Sequence, residues 1–174
     1  MIRTHHHNAP SRIGSVPYLN AAPLVRGLEE EVRLGTPALL AKWLRRGEID
    51  AALVSVAEVL LAGRYDLLDG IALASDGPVL SVMLAHRVPL EEIRVVHLDP
   101  ASITSVNLLR VLLAERGLHP QTRLLASYEM ASDLEAVFLI GDTALDFVWA
   151  PHSHAVWDLG EAWKDLTGLP FVYA

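Results

Sequence analysis

GTPALLAKWLRRGEIDAALVSVAEVLLAG, residues 35–63, decides the fold. Thr36-Pro37 is a helix start. A hydroxyl able to cap free N–H groups is followed by a proline at the first helical position, where the N–H it lacks would be unpaired anyway. Leu39, Leu40, Trp43 and Leu44 share one face at helical spacing, and Gly47 ends the helix. Ile49 to Val54 is then almost unbroken in apolar residues, the pattern of a strand buried on both faces of a parallel sheet. Ser55 follows at once, and Val56 to Leu61 opens another helix. Helix, buried strand, polar residue and helix together make the repeating unit of an α/β protein.

The same alternation extends in both directions. Upstream, RIGSVPYLNAAPLVRGLEE (residues 12–30) gives a strand over Ile13 to Val16, a break at Pro17, and a helix from Ala21 to Glu30 that tolerates Pro23 in its first turn. Asn20 sits at the break, where it reads as a helix cap or as a ligand contact. Val32 to Leu34 is a short strand. Downstream, strands are expected over Ile71 to Ala74, Val79 to Ala85, Arg94 to Leu98, Arg123 to Ala126, Val137 to Ile140 and Phe171 to Tyr173. Helices are expected over Thr104 to Gly117, Thr143 to Phe147 and Trp157 to Leu166. Ser75-Asp76-Gly77-Pro78 is turn chemistry. Mainly parallel sheets follow from this order. The long strand from Val79 and the series after it fit two lobes.

Composition narrows the function classes. The chain has 174 residues, 52% apolar and 20% charged, which suits one large domain or two small ones. It has no cysteine, so disulfides, thiolate nucleophiles, iron–sulfur clusters and Cys-ligated zinc are excluded. The net charge of −7 argues against nucleic acid or an anionic membrane as partner, because both select basic surfaces. The apolar runs are strand-length, short of the ~20 residues of a membrane helix. The opening residues MIRTHHHNAPSR lack the apolar core of a secretory signal. They are read as a flexible lead-in, and the cytoplasm is the expected location.

Three strand ends run into hydroxyl or amide residues and then into helices: Ser15 to Asn20, Ser55, and Ser102-Ile103-Thr104-Ser105. Open α/β sheets bind ligands outside the carboxyl ends of their strands. Helix starts there offer unpaired N–H groups and a partial positive charge. Neutral donors of this kind suit a carboxylate and let an acidic protein hold an anion. Each of these residues is equally a helix cap. Asp142 follows a strand and reads as a cap or as a cleft residue. Asp158 and Glu161 read as a solvated helix face or its start. His152 and His154 lack an evident third ligand, so no metal is expected.

Six segments carry a resemblance: RIGSVPYLNAAPL, GTPALLAKWLRRGEIDAALVSVAEVL, ASDGPVLSVML, SITSVNLLRVLL, IGDTAL and WDLGEAWKDLTGLPFVYA. In that order they are similar to the menaquinone-biosynthesis family of the futalosine route, in its MqnA-type chorismate dehydratase branch. The sister branch, 1,4-dihydroxy-6-naphthoate synthase, shares the fold, but its opening strand leads into an Asp-rich stretch instead of YLNAAPL. The resemblance implies a two-lobed fold like the type 2 periplasmic binding proteins. Its lobes would be residues 1–85, with 1–11 as lead-in, and 86–170. Residues 171–174 would begin the return to the first lobe, with a ligand cleft between the two. Family members continue well past this point, so a C-terminally truncated chain or a missing part of the first lobe is expected. DLEAVFLIGD is also shorter than the helix and strand of the family.

The implied reaction removes water from chorismate to give 3-[(1-carboxyvinyl)oxy]benzoate, with no cofactor. A proton leaves C3 and hydroxide leaves C4, and the ring becomes aromatic. By resemblance Asn20 and Ser81 fall on the active-site positions. Neither is a base at neutral pH, so their expected role is to orient the substrate and hydrogen-bond the leaving hydroxyl or the enolpyruvyl group. A substrate carboxylate is the candidate proton acceptor. Ser15, Ser55, Ser102, Thr104, Ser105 and Asp142 are the expected substrate-binding residues, with the helix near Thr104 as main anion anchor. The competing class is a non-catalytic protein that captures a small carboxylate.

Overall fold

The computed structural model describes residues 12–101 and 103–174. The lead-in expected at 1–11 and the candidate ligand residue Ser102 lie outside the described residues. The chain divides into two compact units, one running to Leu67 and taking in Ala174, the other Leu68–Tyr173.

The first unit is built on three short parallel strands, β1 (Ile13–Ser15), β2 (Val32–Leu34) and β3 (Ala51–Ala52), in the order β2-β1-β3. A brief helix α1 (Ala22–Val25) follows β1, and α2 (Pro37–Arg45) begins as Thr36 Oγ1 accepts from the Leu39 N–H at 3.3 Å. Gly14 on the central strand is what lets α2 pack down. A Cβ there would stand 2.6 Å from Leu40 Cδ2 and 2.8 Å from Ile49 Cδ1. The core is small: Val16, Ala21, Leu40, Trp43 and Ile49. α3 (Val56–Ala62) is capped by Ser55, whose Oγ accepts from the Glu58 N–H at 3.3 Å. Ile49 to Val54 does not form a strand buried on both faces. Ile49 is buried, but Ala51 to Val54 are half-buried and only two residues pair. The reason is position, since β3 is an edge strand with a neighbour on one side.

The second unit carries a five-stranded sheet in the order β7-β6-β8-β5-β9, with a separate antiparallel pair. The sheet strands are β5 (Val82–His86), β6 (Val95–Leu98), β7 (Gln121–Leu124), β8 (Ala136–Ile140) and β9 (Ala155–Asp158). The pair is β4 (Ala74–Ser75) with β10 (Phe171–Val172). β6 runs parallel to β7 and β8, while β5 lies antiparallel between β8 and β9. Alternate residues of β5 and β8 serve two cores, as the two-residue strand period requires. Leu84 and Phe138 join Leu109, Leu112 and Leu159 on one face, against α4 (Ile103–Glu115) and α6 (Leu159–Thr167). Met83, Val137 and Leu139 meet Phe147 of α5 (Gly141–Trp149) on the other.

Several expectations shift here. The boundary expected near Ala85 falls inside this sheet, because Val82–His86 is hydrogen-bonded on both sides and belongs wholly to the second unit. Trp157 and Asp158 are strand, not helix, since β9 completes the pairing of β5 before α6 starts. Among the described residues no helix is long and apolar enough to cross a membrane.

Candidate active site

In the first unit, β1 and β3 run the same way, so Ser15 and Ser55 both stand towards the carboxyl edge of the sheet. Ser15 is buried, its Oγ directed at the Val16 carbonyl at 3.4 Å and its own carbonyl accepting from the Gly35 N–H at 3.0 Å. Ser55 is half-buried and spends an acceptor on its cap. Asn20 is not a cap. It lies inside a 3-10 turn, Leu19–Ala21, with Tyr18 in the cap position and Ala21 in that position for α1. Its side chain is exposed and makes no hydrogen bond to the described residues. Leu19 beside it is 90% exposed. Asn20 and Leu19 therefore both stand in solvent.

In the second unit one edge collects the carboxyl ends of β6, β8 and β9 together with the start of β5. The register fixes this: Val82 pairs with Ile140, and the Gly141 N–H donates to the Ser81 carbonyl at 2.7 Å. Ser81 is half-buried, and among the described residues its hydroxyl meets only the Val79 carbonyl, at a marginal 3.4 Å. It follows Leu80, which holds φ of 63° while largely exposed. That left-handed conformation costs a leucine about 1–2 kcal/mol. Asp158 holds it there: the Leu80 N–H donates to Oδ2 at 2.6 Å, the Val79 N–H reaches both oxygens at 3.1 and 3.2 Å, and the Glu161 N–H donates to Oδ1 at 3.0 Å.

Thr104 and Ser105 are buried in the first turn of α4, both with partners inside the chain. The first turn of a helix also carries backbone N–H groups without an intrahelical acceptor, which suit an anion. Asp142 is exposed in the first turn of α5, where its charge suits the helix dipole but opposes an anionic ligand. It does not cap α5. Ile140 holds that position, and the Thr143 hydroxyl donates to the Ile140 carbonyl at 2.7 Å.

Asp99 was not among the expected residues. It is 1% exposed, directly after β6. Oδ1 accepts from the Ala101 N–H at 2.8 Å and the Tyr128 hydroxyl at 3.0 Å, and Oδ2 lies 3.5 Å from the Thr143 hydroxyl. It ties the loop before α4 to the start of α5. Burial, then the Asp99 carboxylate, pushes the Tyr128 phenol above its ordinary value. The signal was present in Leu98-Asp99-Pro100, an acid directly at the end of an apolar strand. Among the described residues no group of three or more His, Asp or Glu is placed to hold a metal ion.

Comparison with known proteins is specific. The chain is 35% identical over 185 residues to the chorismate dehydratase of Thermus thermophilus, a match covering 95% of this chain and 68% of that protein. It is 30% identical over 159 residues to the chorismate dehydratase of Campylobacter jejuni, covering 90% of this chain and 58% of that one. Among solved structures it is similar to a protein of Archaeoglobus fulgidus, with a TM-score of 0.67 at 17% identity, covering 97% of this chain and 67% of the other. That likeness concerns the fold alone. A family profile described as menaquinone biosynthesis matches residues 11–174. The chain belongs to the menaquinone-biosynthesis family, whose chorismate dehydratases it is similar to across nearly its whole length.

Proposed function

We propose that the chain is a chorismate dehydratase, a hydro-lyase that eliminates water from chorismate to give 3-[(1-carboxyvinyl)oxy]benzoate in menaquinone biosynthesis by the futalosine route. The observation that carries this reading is the 35% identity to a chorismate dehydratase across 95% of the chain. Two strand edges presenting neutral donors support it. We take the fold to be two-lobed, like the type 2 periplasmic binding proteins, and the division near Leu67 supports that. A small anionic intermediate as substrate fits a cytoplasmic enzyme.

The chemistry asks little of acids and bases. The C3–H and C4–O bonds break, and charge from C3 spreads through the ring double bond towards the carboxylate. Aromatisation drives the step. The protein has to hold two carboxylates and orient C3–H against the leaving hydroxyl, and orientation of this kind is worth about 7–11 kcal/mol at best. Asn20, whose amide is uncommitted among the described residues, and Ser81, whose hydroxyl makes only a marginal bond among them, are the donors assigned to the leaving hydroxyl and the enolpyruvyl group. The proton goes to a substrate carboxylate. Backbone N–H groups at the start of α4 take a carboxylate, and Ser55 adds a hydroxyl. Ser15 is buried at the end of β1, and Asp142 is exposed in the first turn of α5, where its charge opposes direct contact with an anion.

The test is to incubate the protein with chorismate and follow the aromatic product by ultraviolet absorbance and mass. Conversion supports the reading. Binding without conversion, seen as a rise in melting temperature with chorismate, would favour a capture protein instead.

A further inference from the structure

Two of the sequence segments face each other in the second unit. ASDGPVLSVML supplies the turn before β5, and WDLGEAWKDL supplies the start of α6. Three contacts hold them together. The Asp158 carboxylate accepts the Val79 and Leu80 N–H groups. Gly160 leaves room for the turn, since a Cβ there would stand 2.5 Å from the Gly77 carbonyl oxygen and 3.2 Å from Val79 Cβ. Lys164 Nζ pairs with Asp76 Oδ1 at 2.6 Å. The outcome of this clamp is a leucine in a backbone conformation that leucines avoid, one residue before Ser81. Such strain persists only where the surroundings over-determine it.

We propose that Asp158 is a positioning residue for the reaction: its carboxylate locks the turn at Val79 and Leu80 and thereby aims the Ser81 hydroxyl. This rests on the assignment of Ser81 above. The geometry separates the role from plain helix capping. Oδ1 serves the Glu161 N–H, while Oδ2 serves the Leu80 N–H. An asparagine has one acceptor oxygen, which can occupy only one of these two oxygen positions, so one of the two N–H groups meets an amide NH2 instead. Without the second acceptor the Leu80 N–H is free to turn away, φ relaxes, and Ser81 swings with it.

The experiment uses Asp158→Asn and Asp158→Ala, each in wild-type and Ser81→Ala backgrounds. Steady-state turnover of chorismate, melting temperature, and amide hydrogen exchange at Leu80 and Glu161 are measured for each. Asp158→Ala should lower kcat by about 10²-fold, the penalty of an ångström-scale misplacement, with KM changed less. Asp158→Asn should keep part of that rate and most of the melting temperature, while the Leu80 amide exchanges faster. In the Ser81→Ala background the further loss from Asp158→Ala should shrink to less than about threefold, because both changes act through one group. An equal loss in both backgrounds overturns the proposal, as does a Leu80 amide that exchanges at the same rate in all variants. A wild-type protein that leaves chorismate unchanged overturns the functional reading instead, and the exchange rates then still decide whether the clamp exists.

Discussion

Asn20, in the first unit, has a side chain with no partner among the described residues, in a turn whose neighbours Tyr18 and Leu19 are also exposed. Ser81, in the second, follows a turn fixed by three backbone hydrogen bonds to Asp158 and joins β8 through its own carbonyl. The two units differ in the same sense. Among the described residues, the first rests on a buried cluster of five residues and three strands of two or three residues. The second has a sheet covered on both faces, with Phe138, Met83 and Leu84 fully buried. On the proposed assignment, one donor is available to a ligand because no described residue uses it. On the same assignment, the other is available because its surroundings hold it still. A free donor loses entropy on binding, whereas a held one has lost it during folding.

The largest effects test the difference between the cores. Phe138→Ala should destabilise the second unit by about 3–5 kcal/mol, and Leu40→Ala the first by about 2–5 kcal/mol, both read from urea unfolding. A harmless Leu40→Ala would mean that the first unit has no specific core, and the comparison would fail. Next comes Asn20→Ala. It removes a donor that makes no bond among the described residues, so turnover of chorismate should fall about 10²-fold while stability stays within about 0.5 kcal/mol. A loss of stability of several times that size would show that Asn20 is structural after all.

Smaller effects sharpen the contrast. Leu80→Gly removes the steric cost of φ at 63°, and part of the gain is returned because glycine is freer when unfolded. Denaturant unfolding should show a net stabilisation of up to about 1 kcal/mol. The smallest effect is set by pH. Burial holds the His154 imidazole below its ordinary value, against a hydrogen bond from Nε2–H to the Leu134 carbonyl at 2.8 Å that works the other way. Nδ1 is buried without a partner among the described residues, so protonation would place an N–H there with no acceptor among them. The folded pKa lies below the unfolded one. Stability from this group is therefore full above about pH 6.5 and is lost as pH falls through the lower folded value. Melting temperatures between pH 7 and 5 should drop, and His154→Phe should drop less over that range.

Much of this was legible in the sequence, for reasons that can be named. Thr36-Pro37 and Ser55 act where cap chemistry puts them, because capping is local. The alternating order of strands and helices came from periodicity, which reports burial directly. What escaped depends on contacts distant in sequence. Trp157-Asp158 looked helical because α6 starts at the next residue, and only pairing with Met83 and Leu84 makes the segment a strand. Ser81 and Asp158 are 77 positions apart, and nothing local in either segment announces the Asp158 contact with Leu80. Asn20 reads as a cap from its neighbours, and only the displaced helix start shows that it is not. The resemblance, not the residue pattern, singled out Asn20 and Ser81.

The most direct measurement is a single incubation of the purified protein with chorismate, analysed by mass and ultraviolet absorbance beside its Asn20→Ala variant. Loss of water to give 3-[(1-carboxyvinyl)oxy]benzoate, fast in the wild type and about 10²-fold slower in the variant, is the predicted result. Chorismate recovered unchanged from the wild type, or product formed equally fast by both proteins, would contradict it.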